Sequence, residues 1–224
     1  MPQKTLISRR ERLAGARLCV LVDGGASVAA CGEQVAAIAA AGVGLIQLRD
    51  KTLDDAALLA RATAAVAAAR RHGALLIIND RPDIAVAAGA DGVHLGEADL
   101  PVWAARRVVG SSRLIGRTAH TLAEARAAVG DAADYLGVGP CFPSETKAFE
   151  AFAPLPFLQA VVAEIDLPTF AIGGITCERL AEVLAIGLSR VAVGAAVTRA
   201  ADPADAVQAL LRQLPASDAT RSDP

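Results

Sequence analysis

Short apolar runs alternate with longer Ala- and Leu-rich stretches along most of the chain, about eight times over. The runs are Leu18–Val22, Val43–Leu48, Leu75–Ile78, Gly92–Leu95, Leu114–Gly116, Tyr135–Val138, Thr169–Ile172 and Arg190–Val193. Most are too short for helices and are bounded by Gly, Asp, Asn or Pro, which marks them as strands. Between them lie amphipathic stretches that predict helices, among them Asp54–Arg71, Pro101–Val109, Thr121–Val129, Cys177–Ile186 and Ala195–Leu214. Helix starts are signalled by Thr52 ahead of Asp54 and Asp55, by the Thr121/Glu124 capping box, and by Pro101 and Pro154 at first-turn positions. Gly73 and Gly187 follow helices as stop signals.

Strict alternation of strand and helix implies parallel strands joined by right-handed crossovers. Eight such units in roughly 200 residues predict an α/β fold of one domain, a closed (β/α)8 TIM barrel. An open doubly wound sheet is the competing arrangement. The expected organisation is a polar extension over residues 1–16 with a loose entry helix, the barrel over 17–212, and a disordered tail over 213–224.

Composition narrows the partners. The chain is 54% hydrophobic and only 3% aromatic, so small aliphatic side chains make the core. Its 22 Lys and Arg against 24 Asp and Glu give a net charge of -2, which argues against a nucleic-acid partner. The longest apolar stretch, Val35 to Ile46, is twelve residues. A membrane span needs about 20, so a buried helix running into a buried strand is expected. Residues 1–12 lack the apolar core of a signal peptide. Cys19, Cys31, Cys141 and Cys177 lie far apart without metal-ligand spacing and read as reduced thiols of a cytoplasmic protein. A homo-oligomer is compatible with these features.

Barrel enzymes place their chemistry where strands end and loops begin. The second strand ends Gln47-Leu48-Arg49-Asp50-Lys51, and alternation sets Gln47, Arg49 and Lys51 on one side, as an anion cradle or as a solvated strand end. The third strand stops at Asn79-Asp80, and Asp99 follows the fourth in its loop. Two carboxylates on neighbouring loops suit Mg²⁺, although Asn and Asp also serve plain turns. His94 lies on an apolar strand and reads as a buried structural histidine; Arg117 alternates outward, a surface or structural position. The sixth strand leads into Gly137-Val138-Gly139-Pro140-Cys141-Phe142-Pro143-Ser144-Glu145-Thr146-Lys147, with two hydroxyls and an ammonium group able to hold phosphate. Glycines after the seventh and eighth strands, Gly173-Gly174 and Gly194, let backbone N–H groups approach a phosphate.

In order and spacing these pieces resemble the thiamine-phosphate synthase family. The matching stretches are Gln47 to Lys51, Asn79-Asp80, Ala90 to Gly96 with Asp99, Ala133 to Tyr135 with Gly137 to Pro140, Thr146-Lys147, and Ala171 to Ile175. The resemblance implies a (β/α)8 transferase that uses Mg²⁺ to join a pyrimidine diphosphate to a thiazole phosphate. It implies that Gln47, Arg49, Lys51, Asn79 and Lys147 bind the diphosphate substrate, with Arg49, Lys51 and Lys147 catalytic. It implies that Asp80 and Asp99 hold the metal and that Thr118 lies near the pyrimidine. Ser144, Thr146, Gly174, Gly194 and Ala195 would bind the thiazole phosphate.

Three features depart from the family's pattern: Thr118 where it has serine, Ser144 where it has threonine, and Gly194-Ala195 in place of an aliphatic-serine pair. Three other readings stand beside this one, the most general being another phosphate-handling barrel enzyme that shares only the phosphate end. A sister family of thiazole isomerases shares the barrel and needs a proton-transfer residue, for which His120 is the candidate. A catalytically decayed phosphate-ligand binding barrel would account for the departures.

Overall fold

The computed structural model describes residues 8–143 and 152–216. Ser144, Thr146 and Lys147 of the sequence-derived site lie outside the described residues. Eight parallel strands close into a barrel in chain order: β1 (Leu18–Val22), β2 (Leu45–Leu48), β3 (Leu75–Asn79), β4 (Gly92–Leu95), β5 (Leu114–Ala119), β6 (Tyr135–Val138), β7 (Thr169–Ile172) and β8 (Arg190–Val193). Leu18 of β1 pairs with Val191 of β8, which closes the ring and excludes the open sheet. Helices α1 (Arg9–Gly15), α2 (Val28–Ala40), α3 (Asp55–Arg71), α4 (Pro82–Ala87), α5 (Val102–Val109), α6 (Leu122–Gly130), α7 (Leu155–Glu164), α8 (Leu180–Ala185), α9 (Ala195–Thr198) and α10 (Pro203–Gln213) precede, connect and follow the strands.

Period-two alternation divides the buried residues into two cores. Outward residues such as Ile46, Leu48, Ile78, Val93, Leu95, Leu136 and Val138 pack against the helices. Inward residues Cys19, Leu45, Leu75, Ile77, Leu114, Tyr135, Phe170 and Ala192 fill the barrel. Each fully buried aliphatic or aromatic side chain contributes about 1.5–3 kcal/mol. Ala62, Ala65 and Ala69 of α3 are buried, as are Cys31, Val35 and Ile38 of α2, so the alanine-rich composition serves close packing around the sheet.

The floor of the barrel is closed by α1. Ser8 caps it, accepting from the Glu11 N–H while Glu11 accepts from the Ser8 N–H, and its Leu13 joins the interior core. Arg9 pairs with Asp91 at 2.8 Å and Arg10 with Asp134 at 2.7 Å. Both aspartates also receive strand N–H groups: Asp91 from Leu76 at 3.0 Å and Asp134 from Ile115 at 2.8 Å. Asp91 and Asp134 therefore hold the end opposite the loops that carry the candidate site.

Several boundaries differ from the pattern-based expectation. The single helix expected over Ala195–Leu214 is two, because Pro203 lacks an N–H and disfavours helical backbone at Asp202, which instead caps α10. β5 runs three residues past Gly116, since pairing with β6 continues to Ala119↔Val138 after the apolar pattern has stopped. α8 begins at Leu180 rather than Cys177, after a turn. Asp54, not Thr52, caps α3, and Thr52 bonds Asp50 instead. Thr121 accepts from the Glu124 N–H, but Glu124 reaches back to the His120 N–H, one residue earlier than a capping box requires. Pro101 and Pro154 occupy N-cap positions.

Candidate active site

The mouth is assembled from the loops at the strands' C-terminal ends. After β2, Asp50 folds the segment that carries Arg49 and Lys51. Its carboxylate accepts from Thr52 N and Oγ1 (2.9 and 2.7 Å), Leu53 N (3.2 Å) and, across the barrel rim, Gly24 N (3.1 Å). Burial alone would raise this carboxyl, but the hydrogen bonds outweigh it and hold the group below its ordinary value. Arg49 is exposed, and its guanidinium has no partner among the described residues. Lys51 Nζ lies 3.2 Å from Asp80 Oδ2.

Asp80 follows β3 at a strained position. Its φ is +62°, and Arg81 N donates to Asn79 O at 2.8 Å across it, closing a γ-turn on the uncommon positive-φ side. Such backbone costs about 1–3 kcal/mol and persists where surrounding contacts impose it. Here Asp80 N donates to His94 O at 2.8 Å, and Arg81 anchors to Asp83 and Asp55. The turn brings the Asp80 carboxylate close enough to Asp99 to perturb it.

Asp99 is held from its own loop by the Gly96 N–H, at 2.6 Å. Its carboxyl is raised, first by burial and then by the hydrogen bond to and charge of Asp80, against the opposing Gly96 N–H and Lys51 charge. Two carboxylates forced together in a partly buried rim fit an oxygen-liganded divalent cation, which would relieve their repulsion. Among the described residues no third His, Cys, Asp or Glu joins them. Arg117, facing outward from β5, donates to Gly96 O at 2.7 Å and Glu97 O at 3.4 Å, and so clamps the loop that presents Asp99. Outward alternation was legible in the sequence; the carbonyls it reaches were not.

Inside the mouth Gln47, Asn79 and Thr118 follow the inward alternation of β2, β3 and β5. Gln47 and Thr118 line a cavity of about 30 Å³ with His94, Tyr135, Phe170 and others. His94, expected to be buried, is half-buried and held between Thr118 and Tyr135. Burial lowers its imidazole to about 4, with the positive charges of Arg117 and Arg49 adding and Asp80 opposing.

On the other side of the mouth, Gly174 has φ +62°, and a Cβ there would lie 2.2 Å from Pro143 O. Only glycine permits this contact between the loops after β6 and β7. Arg179 fastens the same junction, donating to Pro143 O (3.1 Å) and Gly174 O (3.0 Å) with its guanidinium 5.3 Å from the Phe142 ring centre. Gly194 caps the short helix α9, whose first residue is Ala195. A short helix after strand eight is where barrels commonly bind phosphate. Cys19 and Cys31 are buried, Cys141 and Cys177 half-buried, and all four are free thiols. Among the described residues no helix is long and apolar enough to cross a membrane.

Comparison with known proteins agrees with this architecture. A family model described as thiamine monophosphate synthase matches residues 18–197. A thiamine-phosphate synthase of Mycolicibacterium vanbaalenii is 47% identical over 188 residues, 80% of this chain and 85% of that protein. One from Thermosynechococcus vestitus is 43% identical over 182 residues, covering 81% of this chain and 52% of that protein. This chain spans about half the length of several curated relatives it matches. The solved thiamine phosphate pyrophosphorylase of Pyrococcus furiosus superposes with a TM-score of 0.77 at 31% identity, covering 91% of this chain and 96% of that one. A 3-hexulose-6-phosphate synthase, at 20% identity and a TM-score of 0.64, shares the fold alone. With strands, loops and relatives in agreement, the chain belongs to the thiamine monophosphate synthase family.

Proposed function

We propose that the protein is a thiamine-phosphate synthase: it condenses 4-amino-2-methyl-5-hydroxymethylpyrimidine diphosphate with hydroxyethylthiazole phosphate, releasing diphosphate and thiamine phosphate. The observation that carries this reading is the meeting of Asp80, Asp99 and Lys51 at one point of the mouth, with Lys51 on a loop after β2 that also carries the exposed Arg49. The thiazole nitrogen attacks the methylene carbon of the pyrimidine as the bond to diphosphate breaks. That nitrogen carries no proton, so no general base is needed, and the main task is to stabilise the leaving anion. Arg49, Lys51 and Lys147 supply three positive charges for it, and Gln47 and Asn79 supply amide donors.

Asp80 and Asp99 would hold Mg²⁺, which when bound adds positive charge against the diphosphate oxygens. Three cations and a divalent ion, less two carboxylates, leave a net charge of roughly +3, close to that of the diphosphate ester with opposite sign. Thr118 contacts the pyrimidine from β5. Ser144, Thr146, Gly174 and the Gly194-Ala195 backbone hold the thiazole phosphate. The isomerase reading is weaker, because it has no use for this cation cradle. Its candidate His120 directs Nδ1 at Gly139 O, 2.7 Å away, as a structural contact.

The test is direct. Both substrates are incubated with the protein, with and without Mg²⁺, and diphosphate and thiamine phosphate are measured. Both products should form only with the metal. Conversion of a thiazole without diphosphate substrate or metal would instead establish the isomerase.

A further inference from the structure

Three polar side chains form a row inside the barrel, beneath the mouth. His94 Nε2 lies 2.9 Å from Thr118 Oγ1, and His94 Nδ1 lies 3.1 Å from the Tyr135 hydroxyl. The row is built rather than incidental. Gly116 sits beside it, and a Cβ there would lie 2.1 Å from Tyr135 Cζ and 2.5 Å from His94 Nδ1. The Tyr135 ring is fixed edge-on against Phe170, with centroids 5.8 Å apart. Threonine at 118 is stiff at χ1, which holds Oγ1 toward the imidazole.

The row can run in two directions. Both nitrogens of the half-buried imidazole face hydroxyls, which a ring with one N–H and one lone pair satisfies. The Tyr135 phenol is 3% exposed, and among the described residues His94 is its hydrogen-bond partner. If Nδ1 carried the hydrogen, the phenol would accept it, and its own O–H would be left buried without an acceptor. An unmade buried donor is the costlier arrangement. If Nδ1 carries the lone pair, the phenol donates and every group is satisfied. The imidazole hydrogen then sits on Nε2 and is donated to Thr118 Oγ1, so the threonine hydrogen is free to turn toward the mouth.

The geometry points to Tyr135 and His94 as positioning residues that set the polarity of Thr118. Tyr135 donates to His94 Nδ1, His94 Nε2–H donates to Thr118, and Thr118 donates its hydroxyl hydrogen to an acceptor atom of the bound pyrimidine. The last link rests on the proposed function; the first two do not.

Long-range ¹H–¹⁵N correlation spectra of the ligand-free protein read the tautomer, and with three histidines in the chain His94 is assigned by its loss in His94→Gln. The expected spectrum shows a neutral ring protonated on Nε2. In Tyr135→Phe, which keeps the ring, that tautomer loses its dominance. KM for the pyrimidine diphosphate then rises about tenfold with kcat little changed, the pattern of a lost binding contact. Thr118→Val should show the same rise in KM, and Thr118→Ser should restore the parent value. Protonation of Nδ1 in the parent protein, or a Tyr135→Phe variant with unchanged tautomer and KM, overturns the inference. If the parent spectrum is as expected but no variant, parent included, turns over the substrates, the polarity of the row stands and the pyrimidine as its acceptor falls.

Discussion

Asp134 lies in a stretch shared with the family but at the wrong end of the barrel for chemistry, and removing it should weaken the fold while sparing the reaction. Its side chain is 6% exposed and meets Arg106 Nη2 at 2.7 Å and Arg10 Nε at 2.7 Å. It also accepts from Ile115 N at 2.8 Å. In Asp134→Ala the strand N–H of Ile115 is orphaned, at about 1–3 kcal/mol. The Arg106 guanidinium loses its carboxylate, and breaking a buried pair costs about 3–5 kcal/mol. Arg106 keeps carbonyl partners at Gly110, Arg113 and Ala132, which cuts that figure to about 1 kcal/mol. Arg10 is mostly exposed, so its pair adds about 0–1 kcal/mol. The net loss is about 3 kcal/mol.

For a protein of this size that lowers Tm by about 6–12 °C. With a urea slope of about 3 kcal/mol/M it moves the unfolding midpoint down by about 1 M. Asp134→Asn keeps an acceptor for Ile115 N and should lose less than half as much. Activity assayed at 25 °C should survive in both. An unmoved midpoint in Asp134→Ala, equal losses in the two variants, or a fall in kcat at an unchanged midpoint would each refute this division between floor and mouth.

The other predictions concern the mouth. Asp99→Asn should leave the unfolding free energy within about 0.5 kcal/mol of the parent, while turnover falls about 10²–10³-fold and the Mg²⁺ concentration for half-maximal rate rises; metal titration under steady-state assay checks it. Arg117→Ala releases the Gly96 and Glu97 carbonyls and loosens the loop carrying Asp99. The half-saturating Mg²⁺ concentration should rise more than the KM for the thiazole phosphate, as the same titration run for each reactant would read. Lys147→Ala should cut turnover strongly with the circular dichroism spectrum and midpoint intact; near-normal turnover there would count against the cation cradle.

Much of this was legible in the order of residues. Eight apolar runs fell within or close to the eight strands, because period-two alternation and the glycine, proline and asparagine punctuation are local consequences of chain geometry. The pairing of Asp80 with Asp99 was expected from their place on adjacent strand ends, and the two side chains do meet. The misread boundaries share a cause. Hydrophobic pattern stops at Gly116, but β5 continues through polar Arg117 and Thr118 because β6 still offers partners. Helicity was carried across Ala195–Leu214 by composition, and one proline overrode it.

The sequence by itself determined the repeating unit, its eightfold count and the residue types that reach each strand's end, since each depends on neighbours within a turn or a strand. The tertiary structure alone decided which of those residues touch. Tyr135 and His94 are 41 positions apart, and His94 and Thr118 are 24 apart. They meet because the register of parallel pairing sets Gly116 opposite both His94 and Tyr135, and Gly116 leaves the space open. The strained turn at Asp80, the Arg117 clamp and the floor contacts of Asp134 likewise join residues from different strands. Such contacts follow from closure and register of the whole barrel, which no local period encodes.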